Sequence, residues 1–232
     1  MRSSVKKPFG AKAASDTFDS NEHSVLPCIR NRRSIFPKDF RKNAPPLDPA
    51  IAQSLLDAAL WAPYHGRCYK DQEHPARFVS LGKQSLREMQ NITLTYYDKN
   101  WRDSWEKEED YKNWRQTTEE EIEGRWGPCD YMIAIVMRRF TGPRKFPEWE
   151  QAAAVAAAVQ NMHLQSTKYP HLACYWSSWH DKARDSVEMK QFLGMESEDK
   201  CHGFFIVAQA KNPNVKDRRK RDRSLMAQEW RP

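Results

Sequence analysis

One seven-residue segment, residues 131–137, is entirely apolar and limits the possible folds more than any other part of the sequence. A Gly-Pro pair stands on each side of it, at residues 127–128 and 142–143. A strand with one exposed face alternates apolar and polar residues, whereas a strand covered on both faces reads as a continuous apolar run. We therefore expect a sheet that is covered on both faces.

The other regular segments place helices around this strand. Residues 148–166 form the clearest helix, and their many alanines make it thin enough to pack closely as a central buried helix. Alternating helices and strands predict an α+β or α/β fold with helices packed on a sheet. The predicted order is a helix at residues 48–61, a strand at 77–81, a helix from Lys83, the strand at 131–137, the alanine-rich helix, a strand at 172–177, an amphipathic helix at 182–193 and a strand at 203–209.

Residues 95–126 do not fit this alternation, because they combine seven Trp and Tyr residues with dense charge. Trp101 and Trp105 are spaced as neighbours on one turn of a helix. The pattern predicts an excursion of one or two amphipathic helices laid over the body of the domain. Interleaved aromatic and charged residues also suit a lid or a subunit contact.

Composition narrows the class of protein. The chain has 232 residues and a mass of 27.3 kDa, enough for one large domain or two small ones. It has no apolar run of the roughly 18 residues that a membrane-spanning helix needs. Five scattered cysteines without a CxxC pair argue against a disulfide scaffold or a zinc site and favour a reducing, cytoplasmic environment.

The net charge of +7 belongs to the two ends of the chain. Residues 1–15 contribute +4 and residues 211–232 contribute +5, so the body between them is close to neutral. We interpret residues 1–27 as a flexible leader, for which an organelle transit segment remains an alternative. A basic tail that contacts nucleic acid is the less favoured interpretation of the other end.

The sequence lacks the GxSxG, HExxH, GxGxxG and Walker motifs and has only eight glycines. A bound phosphate would therefore be held mainly by Arg and Lys. Arg32, Arg33 and Ser34 form one candidate anion site, because guanidinium groups match phosphate oxygens in pairs. The basic run of residues 218–221 forms a second one near the other end of the chain.

Two further segments could face a ligand. The first predicted helix ends at Pro63 and is followed by His65 and Gly66, which make a sharp polar loop. Trp176, Ser177 and Ser178 stand at the end of a predicted strand, where two small hydroxyl residues beside an indole suit a planar ligand.

In this order the four segments resemble the nitroreductase family of FMN-dependent oxidoreductases, over about residues 28–230. Arg32, Arg33 and Ser34 followed by Phe36 are similar to the family's opening signature. The stretch LLDAALWAP, continued by Tyr64, His65 and Gly66, is similar to the Ala-Pro-x-His-Gly subgroup. The alanine-rich helix with its Gln-Asn pair, the Trp-Ser segment after it and the basic run near the end complete the resemblance.

The resemblance implies an α+β fold with a mixed or antiparallel central sheet and a long alanine-rich central helix, all within residues 28–232. It also implies FMN as cofactor and NAD(P)H as co-substrate, with no metal. The implied FMN contacts are Arg32, Arg33, Ser34, Arg219 and Arg221 at the phosphate and ribityl chain, Pro63, His65 and Arg67 beside the ring or ribityl chain, and Trp176, Ser177 and Ser178 facing the ring. From their place in the loop we expect Arg67 or Arg77 to be the cation beside the reduced flavin, and no catalytic residue is named.

The implied activity is ping-pong hydride transfer from NAD(P)H through the flavin to a nitroaromatic, quinone or similar small-molecule acceptor, in a homodimer with flavin at the subunit interface. The sequence departs from the family at residues 71–77, where Ala76 replaces a usual Trp, and at residues 170–172, where a Gly-Leu-Gly is missing. Two alternatives therefore stay open. One is a non-catalytic nitroreductase-like interaction protein with a basic tail, and the other is a flavin-modifying or dehalogenating member of the superfamily.

Overall fold

Four strands form one antiparallel sheet in the computed structural model, which describes residues 25–65, 74–140 and 145–212. The strands are β1 (Ala76–Leu81), β2 (Cys129–Met137), β3 (Leu172–Ser177) and β4 (Lys200–Gln209). Their order across the sheet is β1-β2-β4-β3, and each neighbouring pair is antiparallel. The sheet is therefore antiparallel rather than mixed, and the α+β prediction is confirmed.

Strand β2 is buried on both faces, as its apolar run predicts. Its even-numbered residues, such as Met132 and Ala134, belong to a core cluster that includes Leu86 and Met89. The odd-numbered residues, such as Ile133, belong to a second cluster on the opposite face. Successive side chains of a strand point to opposite faces, so one strand supplies both cores.

Helices α2 (Pro49–Ala59) and α5 (Glu148–Gln165) cover the second face and pack against each other. Asp48 caps α2, because its side chain accepts a hydrogen bond of 2.9 Å from the amide of Ala50. Helix α5 buries one side, including Val155, Val159 and Met162, whereas Ala153 and Ala156 remain exposed. Within a single chain, the alanine-rich helix is therefore buried on one side only.

Helix α3 (Lys83–Asn100) covers the first face and leads into the aromatic segment. A short 3-10 turn, Trp101–Asp103, joins α3 to α4 (Glu108–Glu121), and α4 ends in a π-helical turn, Ile122–Trp126. Tyr97 and Tyr111 form the centre of a separate apolar cluster with three Trp residues. The segment thus contains two helices and packs around its own aromatic core.

The remaining helices are short: α1 (Pro27–Asn31), α6 (Asp181–Arg184) and α7 (Val187–Phe192), with 3-10 turns at Pro37–Asp39 and Ser166–Lys168. The single helix predicted at residues 182–193 is wrong. Ser186 interrupts it, because its hydroxyl accepts a hydrogen bond of 3.2 Å from the amide of Met189 and starts α7 as a new helix. Among the described residues, no helix has the length and apolar character that crossing a membrane requires.

Candidate cofactor site

Edge strand β3 fixes the position of the Arg32–Ser34 segment through Ile35. The amide of Ile35 donates a hydrogen bond of 3.2 Å to the carbonyl of Cys174, and the Ile35 side chain is buried in the core. The three preceding residues are thereby held at the outer side of the strand. The Phe36 ring lies 4.9 Å from the ring of Tyr175, which fastens the other side of the segment.

His163 of α5 supports the same segment from beneath. Its Nε2 lies 3.1 Å from the Cys174 carbonyl, and it also forms a hydrogen bond with the Arg33 backbone. Burial is the main cause that lowers the pKa of His163 to about 4, and the charge of Arg32 lowers it further. His163 is therefore neutral near pH 7 and acts as a fixed hydrogen-bonding group under the arginine segment.

The two arginines of the segment point to different partners. Arg33 Nη1 donates to the carbonyls of Arg30 and Arg32, at 2.6 and 2.8 Å, and so closes the end of α1. Arg32 Nη1 lies 3.4 Å from the hydroxyl of Ser34, and Ser34 is exposed. The half-buried Arg32 and the exposed Ser34 are adjacent donors, whereas Arg33 organises the backbone that carries them.

Trp176 and Ser177 are the last residues of β3, and Ser178 follows the strand directly. The indole of Trp176 is 39% exposed, and its Nε1 donates a hydrogen bond of 2.7 Å to the His202 carbonyl. The Ser177 hydroxyl accepts from the amide of Trp179 at 3.3 Å, and the Ser178 carbonyl accepts from Arg184 at 2.9 Å. The indole and the serines are thus held in one defined arrangement.

Gly203 on β4 allows a close contact with this end of β3. Its φ is +104°, and a Cβ there would lie 2.1 Å from the carbonyl oxygen of Ser177. A side chain at this position would collide with the main chain of β3, and the backbone conformation itself favours glycine. The sequence interpretation gave no role to Gly203 or to His163. Helical spacing from Val155 and Val159 was the available signal that His163 faces inward.

The loop at Pro63 and His65 lies at the other end of α5. His65 Nδ1 is 3.0 Å from Glu150 Oε1, and the His65 side chain is 81% exposed. His65 contacts α5 at Glu150, whereas the arginine segment contacts α5 at His163. These positions are about 20 Å apart at 1.5 Å per residue. A single chain therefore does not bring Pro63 and His65 to the Arg32–Ser34 segment.

Three predicted contacts, Arg67, Arg219 and Arg221, lie outside the described residues. Arg77, the alternative cation beside the flavin, donates from Nη2 to the carbonyls of Leu193 and Gly194, at 3.0 and 2.5 Å. Its guanidinium is therefore used to hold the end of α7. The described residues contain no group of three or more His, Cys, Asp or Glu side chains that could hold a metal ion.

The fold and the site together define an α+β protein in which helices cover both faces of an antiparallel sheet and an arginine-serine segment lies against its edge strand. The Nitroreductase family model matches residues 29–209, and the chain belongs to this family. A comparison with curated proteins gives no match.

Solved structures of nitroreductases share the fold. A nitroreductase-like protein from Bacillus cereus has a TM-score of 0.62 at 19% identity, with 87% of this chain and 94% of that chain covered. A nitroreductase with bound FMN from Desulfitobacterium hafniense has a TM-score of 0.58 at 18% identity, covering 88% and 96%. The FMN-dependent nitroreductase NfnB from Mycobacterium smegmatis, in complex with NADPH, has a TM-score of 0.61 at 14% identity, also covering 88% and 96%. At these identities the likeness establishes the fold alone.

Proposed function

We propose that this protein is an FMN-dependent oxidoreductase that takes hydride from NAD(P)H and reduces a small-molecule acceptor such as a nitroaromatic or a quinone. The observation that carries the proposal is the paired donor group of Arg32 and Ser34, held against β3 by Ile35 and His163. Family membership and the FMN-bound relative from Desulfitobacterium hafniense support it.

The residues at this edge fit a flavin mononucleotide. A phosphate monoester needs hydrogen-bond donors and positive charge, which the Arg32 guanidinium and the Ser34 hydroxyl supply side by side. Trp176 offers a partly exposed aromatic surface two residues beyond Cys174, the strand residue that anchors the arginine segment. The distance along β3 from Cys174 to Ser177 is about 10 Å at 3.3 Å per residue.

Bound FMN supplies the hydride and electron transfer, so the chain needs no nucleophile of its own. The chain's part is to bind and to orient. Arg32 and Ser34 would hold the phosphate, and Trp176 and Ser177 at the end of β3 would form the surface against the ring. His163 stays neutral at this site and so adds no positive charge beneath the segment.

Visible absorption tests the activity. The purified protein is expected to retain or take up FMN, with an absorption band near ~450 nm that NADH or NADPH bleaches anaerobically and that menadione or nitrofurazone restores. A flavin-loaded protein that neither pyridine nucleotide reduces would contradict the oxidoreductase. A protein that takes up no FMN would favour the non-catalytic alternative.

The Arg32→Ala variant tests the phosphate contact, and Arg30→Ala is its matched control. Arg30 is an exposed arginine two residues away, and only its backbone carbonyl takes part in the segment's hydrogen bonds. A hydrogen bond to a charged group contributes about 1.5–3 kcal/mol. We therefore expect Arg32→Ala to bind FMN about ten- to a hundredfold more weakly than the wild type does. Equal FMN affinities of the two variants would remove Arg32 from the site.

We further propose that the protein is a homodimer whose two chains complete each flavin site. Pro63 and His65 lie too far from Arg32 to join it within one chain, so a second copy would supply them. A cavity of about 630 Å³ opens between α1, the end of α2 and the second half of α5. Exposed apolar residues surround this part of the surface: Leu26, Ile29, Leu60 and Trp61, the last 85% exposed.

A further inference from the structure

Trp179, which follows Ser177 and Ser178, has an unusual backbone conformation. Its φ is +59°, and among the described residues Asn43 is the other non-glycine residue with a positive φ. This left-handed region is uncommon for residues other than glycine, and asparagine enters it more readily than a bulky side chain does. Such a conformation persists where the surrounding contacts determine it. The contacts of the Trp179 side chain therefore decide how the chain leaves β3.

The indole of Trp179 is fixed to α3 by a directional contact. Its Nε1 donates a hydrogen bond of 3.0 Å to Oγ1 of Thr93. Thr93 is 1% exposed, and its hydroxyl donates its own hydrogen to the Met89 carbonyl at 3.0 Å, so it offers Trp179 an acceptor. The rings of Trp126 and Phe204 make edge-to-face contacts with the indole, at 5.1 and 5.9 Å between centroids. The indole therefore has one defined position.

The next residue, His180, continues this attachment into the aromatic segment. Its ring lies edge-on to the rings of Tyr97 on α3 and Trp114 on α4, at 5.9 and 5.6 Å between centroids. Two successive side chains are thus held by helices that cover the sheet. The backbone between these side chains and β3 is fixed from outside the strand.

The backbone of Trp179 in turn holds the serines before it. Its amide donates to the Ser177 hydroxyl at 3.3 Å, and the Ser178 carbonyl accepts from Arg184 at 2.9 Å. A rotation of the backbone at Trp179 would change the direction of this amide relative to the anchored indole. The position of the indole on α3 is therefore transmitted through one residue to Ser177.

We propose that Trp179 is a positioning residue for the flavin ring, because its indole contact with Thr93 holds Ser177 and Ser178 in place. This inference rests on the proposed function, in which these two serines face the ring. Trp179 acts through the serines and does not need to touch the flavin. Its loss would change the surroundings of the ring and leave the phosphate contacts of the arginine-serine segment intact.

Two substitutions remove the same hydrogen bond from opposite sides. Trp179→Phe keeps an aromatic ring but loses the N–H donor, whereas Thr93→Val keeps the shape of the side chain but loses the acceptor. Trp105→Phe is the matched control, because Trp105 is a partly buried indole of the separate aromatic cluster and its ring contacts lie within that cluster. The two variants are independent, so one that folds is sufficient for the test.

The ¹H–¹⁵N resonances of the Ser177 and Ser178 backbone amides report the positioning directly in the flavin-free, full-length protein. We expect Trp179→Phe and Thr93→Val to shift or broaden these resonances, and Trp105→Phe to leave them as in the wild type. Unchanged serine resonances in the folded variants would overturn the proposal, and this result does not depend on flavin binding.

Titrations with FMN and with riboflavin then locate the effect at the ring. Loss of one neutral hydrogen bond predicts about two- to tenfold weaker binding in each variant, by the same factor for both flavins, since riboflavin has the ring without the phosphate. The double variant should lose no more than either single variant, because all three lack the same bond. The visible circular dichroism of bound FMN should change in both variants and not in Trp105→Phe.

Wild-type affinity for both flavins in the variants, or a loss confined to FMN, would overturn the role of Trp179 alone. A wild-type chain that binds neither flavin would overturn the proposed function and this role with it. The wild-type titration therefore separates the two failures.

Discussion

His163 links the alanine-rich helix to the arginine segment at a single point. It contacts the Cys174 carbonyl and the Arg33 backbone, and the Cys174 carbonyl also accepts the amide of Ile35. Burial, with a smaller contribution from the charge of Arg32, lowers the pKa of the imidazole to about 4, although its two backbone hydrogen bonds act in the opposite direction. Protonation of one side chain would therefore disturb the position of Arg32 and Ser34.

The lowered pKa of His163 predicts a loss of stability on acidification. The folded state holds the imidazole neutral down to about pH 4, whereas the unfolded chain protonates near pH 6.5. The contribution of His163 to the free energy of unfolding is complete above pH 6.5 and declines as the pH falls towards 4. At pH 5 it has fallen by about 2 kcal/mol. Urea unfolding of wild type and His163→Leu at pH 7 and pH 5 measures it.

The His163→Leu variant is expected to lose less free energy of unfolding between these two pH values than the wild type does. His180 and His202 also have pKa values lowered by burial, so the difference between the two proteins isolates His163. The same pH dependence in both proteins would show that His163 titrates normally and does not support the segment.

Among the contacts between elements, the close approach of β4 to the end of β3 at Gly203 positions Trp176 and Ser177. Gly203→Ala places a Cβ against the Ser177 carbonyl in a backbone conformation that L-residues rarely adopt. We expect a loss of unfolding free energy of about 1–3 kcal/mol, with weaker FMN retention. Chemical unfolding and flavin absorbance measure the two effects.

Gly82→Ala is the control for this substitution. Gly82 has a φ of −82°, and a Cβ there meets nothing within 4 Å. The free energy of unfolding of Gly82→Ala should stay within about 1 kcal/mol of the wild-type value, because alanine fits both the space and the backbone conformation. Equal behaviour of the two variants would mean that β3 and β4 do not approach as closely as Gly203 requires.

Most helices and strands could be predicted from local sequence patterns. Where such a prediction failed, the cause is also local. The apolar run predicted β2, and the Asp48-Pro49 pair predicted the start of α2. Both predictions succeed because burial and capping are encoded within a few residues. The prediction of one continuous helix at residues 182–193 failed because Ser186 acts as a helix cap inside an amphipathic pattern. Periodicity alone does not reveal such an interruption.

The candidate site was less predictable because its contacts join residues far apart in the chain. A motif could single out Arg32, Arg33 and Ser34, but only the fold shows that Arg33 is turned towards the α1 backbone. Arg77 was assigned to the flavin from its place in the sequence, whereas the structure pairs it with carbonyls at the end of α7. Sequence patterns identify residue types, and the packing decides what each one contacts.

Helices α2 and α5 leave apolar side chains exposed, and the proposed homodimer would bury them. Ala153 and Ala156 are exposed on α5, and Trp61 stands out at the end of α2. An exposed apolar surface of this kind marks an interaction site. In a homodimer, the small side chains of α5 would allow close packing, and the loop at His65 would reach the partner's arginine segment.

Trp61→Glu is expected to weaken the dimer, because it places a charge in an interface that would otherwise exclude water. Sedimentation velocity should give a dimer of about 55 kDa for the wild type, twice the 27.3 kDa chain, and a larger monomer fraction for the variant. Trp149→Glu, at an exposed indole outside the cavity at α1, is the control. A wild-type protein that sediments as a monomer would contradict the shared site.

An equilibrium titration decides whether the arginine-serine segment on edge strand β3 holds FMN. Flavin-free protein is titrated with FMN and with riboflavin, which lacks the phosphate, and flavin fluorescence is followed. We expect saturable binding of one FMN per chain, with riboflavin binding at least tenfold more weakly because it has no phosphate to pair with Arg32 and Ser34. Equal affinity for FMN and riboflavin, or no binding of either, would contradict it.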